Sequence, residues 1–515
     1  MPVDYGLVPK QSKTAGRTLR DGGDVGRTDK RGRSVNILCM ALLLYEVAGT
    51  RTGSLSDYQA YSGKIRRKSK YVSGRHVFRR CLVSNGTLCP DVLELQGTLQ
   101  CNTGKGAAAE ADPILKGRIR VNRISAYREE FYRILTQNFV PFWEKFSPDP
   151  VYGGFLCGFE QDGSLFFEDK SVWQQGRSLW MFSKLYREFG EKREWLEIAR
   201  SGYDFINTYC FDEKGHMYFK VTRDGKPLVN RRYYYSEAFA IMGYVEYYLA
   251  TGQEEVRQRA LALFRKMYYY YTTPDCFPPK VDTRTRNNQG HSIVMIMLNV
   301  CQNMRRIDNS PLYDEVITDS IHRILNFFVK EEEKALFENV GPEGERIHSP
   351  EGRLINPGHS LETAWFLMTE AIHRREEPLM KKAMQITLWS LEKGWDPEMG
   401  GIFYFVDVEQ KPVLSLEWDM KLCWPHCEAL IALLYCWWYS GEDIYIQWFH
   451  RVKEYLFAHF SDPEYPEWYG HLHRDGTPIT KIKGSDWKGP FHNVRAFMLI
   501  TQLLEQMEKG GLQLK

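Results

Sequence analysis

A chain of 515 residues has room for two or three domains or one large repetitive one, and its net charge of +3 hides a division: residues 1–120 carry +11 and the remainder −8. The acidic part has no basic run and no zinc-knuckle spacing, which argues against nucleic acid as a partner. No stretch reaches the ~18 apolar residues of a membrane span, and eleven cysteines without a framework spacing read as reduced thiols of a cytoplasmic protein.

Residues 1–120 are rich in Gly, Arg, Ser and Thr, lack Trp and show no sustained period. Such a stretch cannot bury a core, so it is expected to be a disordered or spuriously included basic extension. The apolar patch at 36–48 imitates a signal peptide, but it starts too far in and is broken by Glu46. Asn85-Gly86-Thr87 matches a glycosylation acceptor and carries little weight without a secretory signal.

From residue 121 to 510 the chain reads as one domain. All 14 Trp fall in it. Phe131, Ile134, Leu135, Phe139, Phe142 and Trp143 mark an amphipathic helix over 127–146. A unit then begins that recurs. Gly153-Gly154-Phe155 opens a strand, Asp162-Gly163 a turn, Leu165-Phe166-Phe167 the return strand, and Trp173-Gln174-Gln175-Gly176-Arg177 a helix. The same order returns before Ser236-Glu237, Gln289-Gly290-His291, Asn356-Pro357-Gly358-His359, Trp424-Pro425-His426 and Pro490-Phe491-His492. Further helices are predicted between these units, over 195–205, 256–271, 312–328, 379–391 and 444–460. Six helix pairs joined by short hairpin-like connections stack on one another, and closure into a ring is favoured because aromatic and polar residues collect at one end of each second helix.

Six residues stand at what read as equivalent helix mouths: Arg177, Glu237, His291, His359, His426 and His492. His359 and Glu362 project from one helix face. A lone His at a helix start is more often a cap than a catalyst, but four of the thirteen at one phase suggest a shared pocket. Trp173, Trp424, Tyr235, Phe403 and Tyr404 would supply flat apolar walls, which suit the C–H faces of a sugar ring. Lys421 is placed to reach a substrate oxygen. Cys423 and Cys427 bracket His426, yet with no second ligand pair nearby they read as small apolar residues and not as a metal site. His471 and His473 alternate in a strand-like segment and read as structural. No phosphate-cradling loop, nucleophile elbow or zinc-protease pair is present, so no chemical cofactor is indicated.

Four strings, Trp173 to Arg177, Asn356 to Glu362, Gly394 to Phe405 and Leu416 to His426, closely resemble the N-acylglucosamine 2-epimerase (renin-binding protein) family, in order across about residues 124–508. The resemblance implies an all-α (α/α)6 barrel, usually a homodimer, that interconverts N-acetylglucosamine and N-acetylmannosamine and in which ATP acts as an activator. It implies His359 and His426 as the acid/base pair, with Arg177 and Glu362 serving the substrate. Trp173, Glu237, His291, Trp424 and Tyr404 complete the expected binding site. The expected chemistry is removal of the C2 proton of the open-chain sugar by one His and its return to the other face by the second, through an enediolate stabilised by Arg177. The alternatives are a mannose isomerase or cellobiose 2-epimerase on the same scaffold, a glycoside hydrolase, which would need two opposed carboxylates, and a non-catalytic protein-binding role.

Overall fold

The computed structural model describes residues 113–510 apart from 232–233, 274–275, 277–281, 283 and 286, with side chains from residue 123. The expectations placed on residues 1–112 (the extension, the patch at 36–48 and the acceptor at Asn85) lie outside the described residues.

Among the described residues the chain forms twelve helices. The first, α1, is Pro113–Ile134 carried through a π-turn, Leu135–Phe139, into Val140–Phe146. It starts ahead of the expected boundary at residue 121. Then follow α2 (Val172–Phe189), α3 (Arg193–Tyr209), α4 (Tyr235–Thr251), α5 (Glu254–Thr272), α6 (His291–Met304) and α7 (Pro311–Arg323). The set ends with α8 (Pro357–Arg374), α9 (Glu377–Gly394), α10 (Cys423–Ser440), α11 (Asp443–His459) and α12 (Phe491–Glu508).

The even-numbered helices form the inner ring. α2 packs on α4, α4 on α6, α6 on α8, α8 on α10, α10 on α12, and α12 back on α2. That last contact closes the barrel. Each inner helix also packs on an odd-numbered outer one. The residue pattern follows from this. Ser236 to Tyr247 of α4 are buried without interruption, because an inner helix has neighbours on every side. In α3 only Ala199, Gly202, Tyr203, Phe205 and Ile206 are buried, the stripe of a helix with one face in water. Inner helices come unusually close where side chains vanish. A Cβ on Gly176 of α2 would stand 2.4 Å from the Phe239 carbonyl carbon of α4.

The connections differ from the expected hairpins in one respect. Three ladders are local hairpins: 158–159 with 165–167, 220–221 with 227–229, and 329–330 with 335–336. Four join successive repeats: Lys170–Ser171 with Lys220–Val221, Gln289–Gly290 with Asn339–Val340, Leu354–Ile355 with Val406–Asp407, and Lys421–Leu422 with His471–Leu472. Each begins on the strand that feeds an inner helix, so neighbouring repeats fix one another's helix starts.

Buried ion pairs pin the same corners. Lys170 Nζ lies 2.9 Å from Asp149, Lys421 Nζ 3.0 Å from Asp396, and Lys483 Nζ 2.7 Å from Asp462. Each Asp follows an outer helix, and each Lys precedes the next inner helix in the chain. Lys421 is therefore spent on Asp396, fully buried beneath Phe403, and does not reach the substrate space as expected.

Candidate active site

The first turns of the inner helices face a central cavity of about 530 Å³, within the roughly 300–1,000 Å³ usual for small-ligand sites. Its lining descends each helix at a spacing of three or four residues, as one face of a helix must. α2 contributes Trp173 and Arg177; α4 Tyr235, Phe239 and Met242; α6 Ser292, Met295, Ile296 and Asn299. α8 contributes His359, Glu362 and Phe366; α10 Trp424; α12 Phe491, His492 and Arg495. Tyr404, Glu417, Met420, Leu422, His471 and Trp487 come from the connections.

Two histidines bracket one indole. The Trp424 ring centroid lies 5.3 Å from that of His359 and 5.4 Å from that of His492. Gly358 permits this approach, since a Cβ there would come within 2.5 Å of the Trp424 ring. Asn356 caps α8 by accepting the His359 backbone N–H over 3.1 Å, and Pro357 takes the first turn, where a missing N–H costs nothing.

Each imidazole is held through Nδ1 by a carboxylate, partly buried for Glu338 and fully buried for Glu428. His359 Nδ1 lies 3.0 Å from Glu338 Oε2, and His492 Nδ1 lies 2.7 Å from Glu428 Oε1. A carboxylate accepts, so the Nδ1–H tautomer is favoured and Nε2 keeps its lone pair. The surroundings then separate the two rings. Burial opposes the charged form of His359, but the Glu338 carboxylate outweighs it and raises the pKa above the ordinary 6.5. Burial also opposes charge on His492, and the Arg495 guanidinium adds to it, so that pKa falls well below 6.5. The two environments push the pKa values of the rings apart, one up and one down.

Arg177 has its guanidinium over the Phe239, Trp173 and Phe491 rings, 4.0, 4.8 and 5.2 Å from their centroids. No carboxylate among the described residues pairs with it, which leaves its donors for a ligand oxygen. Arg495 Nη2 donates to Glu362 Oε1 over 2.5 Å and to Glu428 Oε1 over 2.7 Å. Glu362, Glu428 and His492 form a cluster that would suit a metal ion. The Arg495 guanidinium lies against both carboxylates and supplies the positive charge such an ion would bring.

Residues 153–496 match the sequence model of the family described as N-acylglucosamine 2-epimerase (GlcNAc 2-epimerase). N-acylglucosamine 2-epimerase of Rattus norvegicus is 34% identical over 373 residues, covering 71% of this chain and 89% of that protein. The chain belongs to the N-acylglucosamine 2-epimerase family. Cellobiose 2-epimerase of Eubacterium cellulosolvens is 25% identical over 418 residues, 73% of this chain and 98% of that protein. The solved structure of cellobiose 2-epimerase from Bacillus thermoamylovorans shares the fold, with a TM-score of 0.65 at 20% identity over 73% of this chain and 99% of that one.

In this family member Trp173, Arg177, His359, Glu362, Tyr404 and Trp424 come together at the cavity, where the sequence placed them. Glu237, His291 and His426 do not line it. Glu237 is buried behind the wall, accepting from Arg231 Nη2 over 3.1 Å. His291 stands behind Glu338, its Nε2 3.1 Å from Thr363 Oγ1. His426 is fully buried with both nitrogens engaged. Nδ1 lies 2.7 Å from the Leu422 carbonyl, and Nε2 accepts the Ile402 N–H over 2.9 Å. Burial pushes its pKa down to about 3. The reason is rotation. Trp424 is the second residue of α10 and faces the axis; two residues on, about 200° further round, His426 faces outward onto Tyr455. His492, second in α12, takes the place the sequence reading gave to His426. Phe403 covers Lys421 and does not line the cavity. Glu338 and Glu428 were missed because neither lies within a motif. Glu428 was within reach, two residues after His426; Glu338 carries no signal beyond a strand-like Phe337-Glu338-Asn339.

Proposed function

We propose that the protein interconverts an N-acyl-D-glucosamine and the corresponding N-acyl-D-mannosamine by proton transfer at C2 between His359 and His492. The observation that carries it is the pair of Glu-held imidazoles on either side of Trp424 at one cavity. The similarity to the Rattus norvegicus N-acylglucosamine 2-epimerase supports the acyl amino sugar over the cellobiose of the more distant relatives.

The C2–H of a closed ring is not acidic. In the open aldehyde it is, because the electrons left behind delocalise onto O1. In a 2-acylamino sugar C2 carries nitrogen, so the intermediate is an enolate with charge on O1; the enediolate belongs to sugars with a C2 hydroxyl. Neutral His492 takes the proton through Nε2 from one face, and Glu428 stabilises the imidazolium that forms. His359, protonated under Glu338, delivers a proton through Nε2 to the opposite face. Arg177 supplies donors to O1 as charge grows there. Glu362 accepts from a sugar hydroxyl while Arg495 holds it in place. In the reverse reaction the rings exchange roles: neutral His359 takes the C2 proton and the His492 imidazolium returns one to the other face, so the pair holds one excess proton throughout.

The test is proton NMR in heavy water with N-acetylmannosamine. N-acetylglucosamine carrying deuterium at C2, absent with His359→Asn and with His492→Asn, supports the reading. Turnover of mannose or cellobiose instead moves the protein to a sibling activity, and turnover of none removes the enzymatic reading. Activation by ATP and assembly as a homodimer are carried from the resemblance, and a cytoplasmic location from the scattered cysteines. Rates with and without ATP, light scattering and fractionation check them.

A further inference from the structure

Two histidines account for the protons at C2, but the reaction also needs a ring opened and closed. The hemiacetal proton must leave O1, and O5 must gain one as the C1–O5 bond breaks. The cavity holds a third imidazole that the C2 chemistry does not use. His471 lines it, as do its ladder partner Leu422 and the indoles of Trp424 and Trp487. Its backbone is fixed. His471 pairs with Leu422 in the two-residue ladder, and the Cys423 N–H donates to the Gly470 carbonyl over 3.0 Å. This sets His471 alongside the start of α10, whose second residue, Trp424, separates His359 from His492.

His471 differs from the other histidines at or behind the site. His359 and His492 are held through Nδ1 by carboxylates, His426 is held at both nitrogens, and His291 is bonded to Thr363. Among the described residues no side chain pairs with the His471 imidazole. It is free to present either nitrogen, which a group that takes a proton from one oxygen and gives it to its neighbour must do.

We propose that His471 is a further catalytic residue that opens and closes the sugar ring, giving the protein a second activity, the interconversion of α and β anomers of its amino sugar. This rests on the epimerase reading for the identity of the sugar. The imidazole takes the O1 proton as the C1–O5 pair goes to O5, C1=O1 forms, and the imidazolium returns the same proton to O5. The imidazole is neutral before and after. Burial, and then the charge of Lys488, lower its pKa to about 4, which keeps it in the basic form at neutral pH. The open aldehyde is then handed to His359 and His492 without leaving the cavity.

The experiment is two-dimensional exchange NMR between the α and β H1 signals of N-acetylglucosamine in heavy water, with the wild type, His359→Asn, His471→Asn and His471→Gln, each checked for an unchanged melting temperature. The wild type is expected to accelerate anomer exchange. H359N should keep that acceleration while losing deuterium at C2. H471N and H471Q should lose the acceleration, on the order of 10²-fold as for removal of a general acid–base, and C2 exchange should fall with it. If H471N fails to fold, H471Q decides. Anomer exchange at the wild-type rate in the His471 variants overturns the proposal, as does a wild type that does not accelerate it. A wild type that accelerates anomer exchange but puts no deuterium at C2 sinks the epimerase reading and leaves the His471 role standing.

Discussion

Glu428 on α10 and His492 on α12 stand 64 residues apart in the chain and 2.7 Å apart in space. The other Glu428 oxygen accepts the Trp365 indole N–H over 2.8 Å. In Glu428→Gln the donors compete for one amide oxygen: Trp365 faces one side, Arg495 Nη2 and His492 Nδ1 the other. Either orientation sets the amide NH₂ against a donor, and His492 loses the carboxylate that orients it and stabilises its imidazolium. A fall in kcat of ~10²–10⁴-fold is expected, the range for a misdirected catalytic imidazole, with KM changed less than about threefold. Steady-state kinetics checks it, and an equal loss in KM would assign Glu428 to binding.

The two imidazoles predict a bell-shaped pH profile of kcat/KM. His492 must be neutral, and burial with Arg495 lowers its pKa, so the acid limb lies below 6.5. His359 must be protonated. Burial acts against this and Glu338 prevails, so activity is lost as pH rises through a value above 6.5. Glu338→Gln removes the raising charge and leaves burial. Its alkaline limb should move to lower pH by about one to three units, with the acid limb in place. An unmoved alkaline limb would belong to another group.

His426→Phe and His492→Asn separate scaffold from chemistry. The Phe ring can keep its place on Tyr455 but leaves the buried Ile402 N–H without an acceptor. A stability loss of ~1–3 kcal/mol is expected, with turnover of the folded protein retained. H492N should melt near the wild type and turn over at least ~10²-fold more slowly. His426 also carries a pH signature. Its folded pKa of about 3 is below the unfolded one, so the unfolded chain binds the extra proton and stability falls as pH drops below 6.5. H426F should lose part of that slope in denaturant titrations.

Asp396→Asn tests the corner ion pairs. Lys421 would be left buried without its counter-charge, and breaking such a pair by removing one partner costs about 3–5 kcal/mol. Burial already lowers the Lys421 pKa to about 8 against an ordinary 10.5, and Asp396 is what limits the fall. Without it the folded pKa falls further, so the folded chain binds fewer protons than the unfolded one from a lower pH up to the ordinary 10.5. The variant should therefore recover stability as pH rises toward 10, seen as a denaturant midpoint that climbs with pH.

Much of this was legible in the residues themselves. The helix-pair repeat, the outer helices over 256–271 and 379–391, and the cavity positions of Arg177, His359, Glu362 and Trp424 all follow from periodicity and motif. Asn356-Pro357-Gly358 announces its helix start through local rules, a cap, a first-turn proline and a missing Cβ. Such features depend on neighbours a few residues away, which the chain order alone specifies. Orientation about the ring axis does not. A shift of two residues in where α10 begins turns His426 from the cavity to the outer wall and puts Trp424 in its place, and only packing against α8 and α12 decides where that first turn lies. The same holds for Glu338, 21 residues from His359, and for Arg495, which meets Glu362 from 133 residues away. Their meeting is a product of ring closure. The sequence by itself determined the family, the repeat and the residue types of the site. Tertiary structure alone decided which histidine is second to His359, because a helix changes direction by 100° per residue and closure of the barrel sets the zero of that rotation.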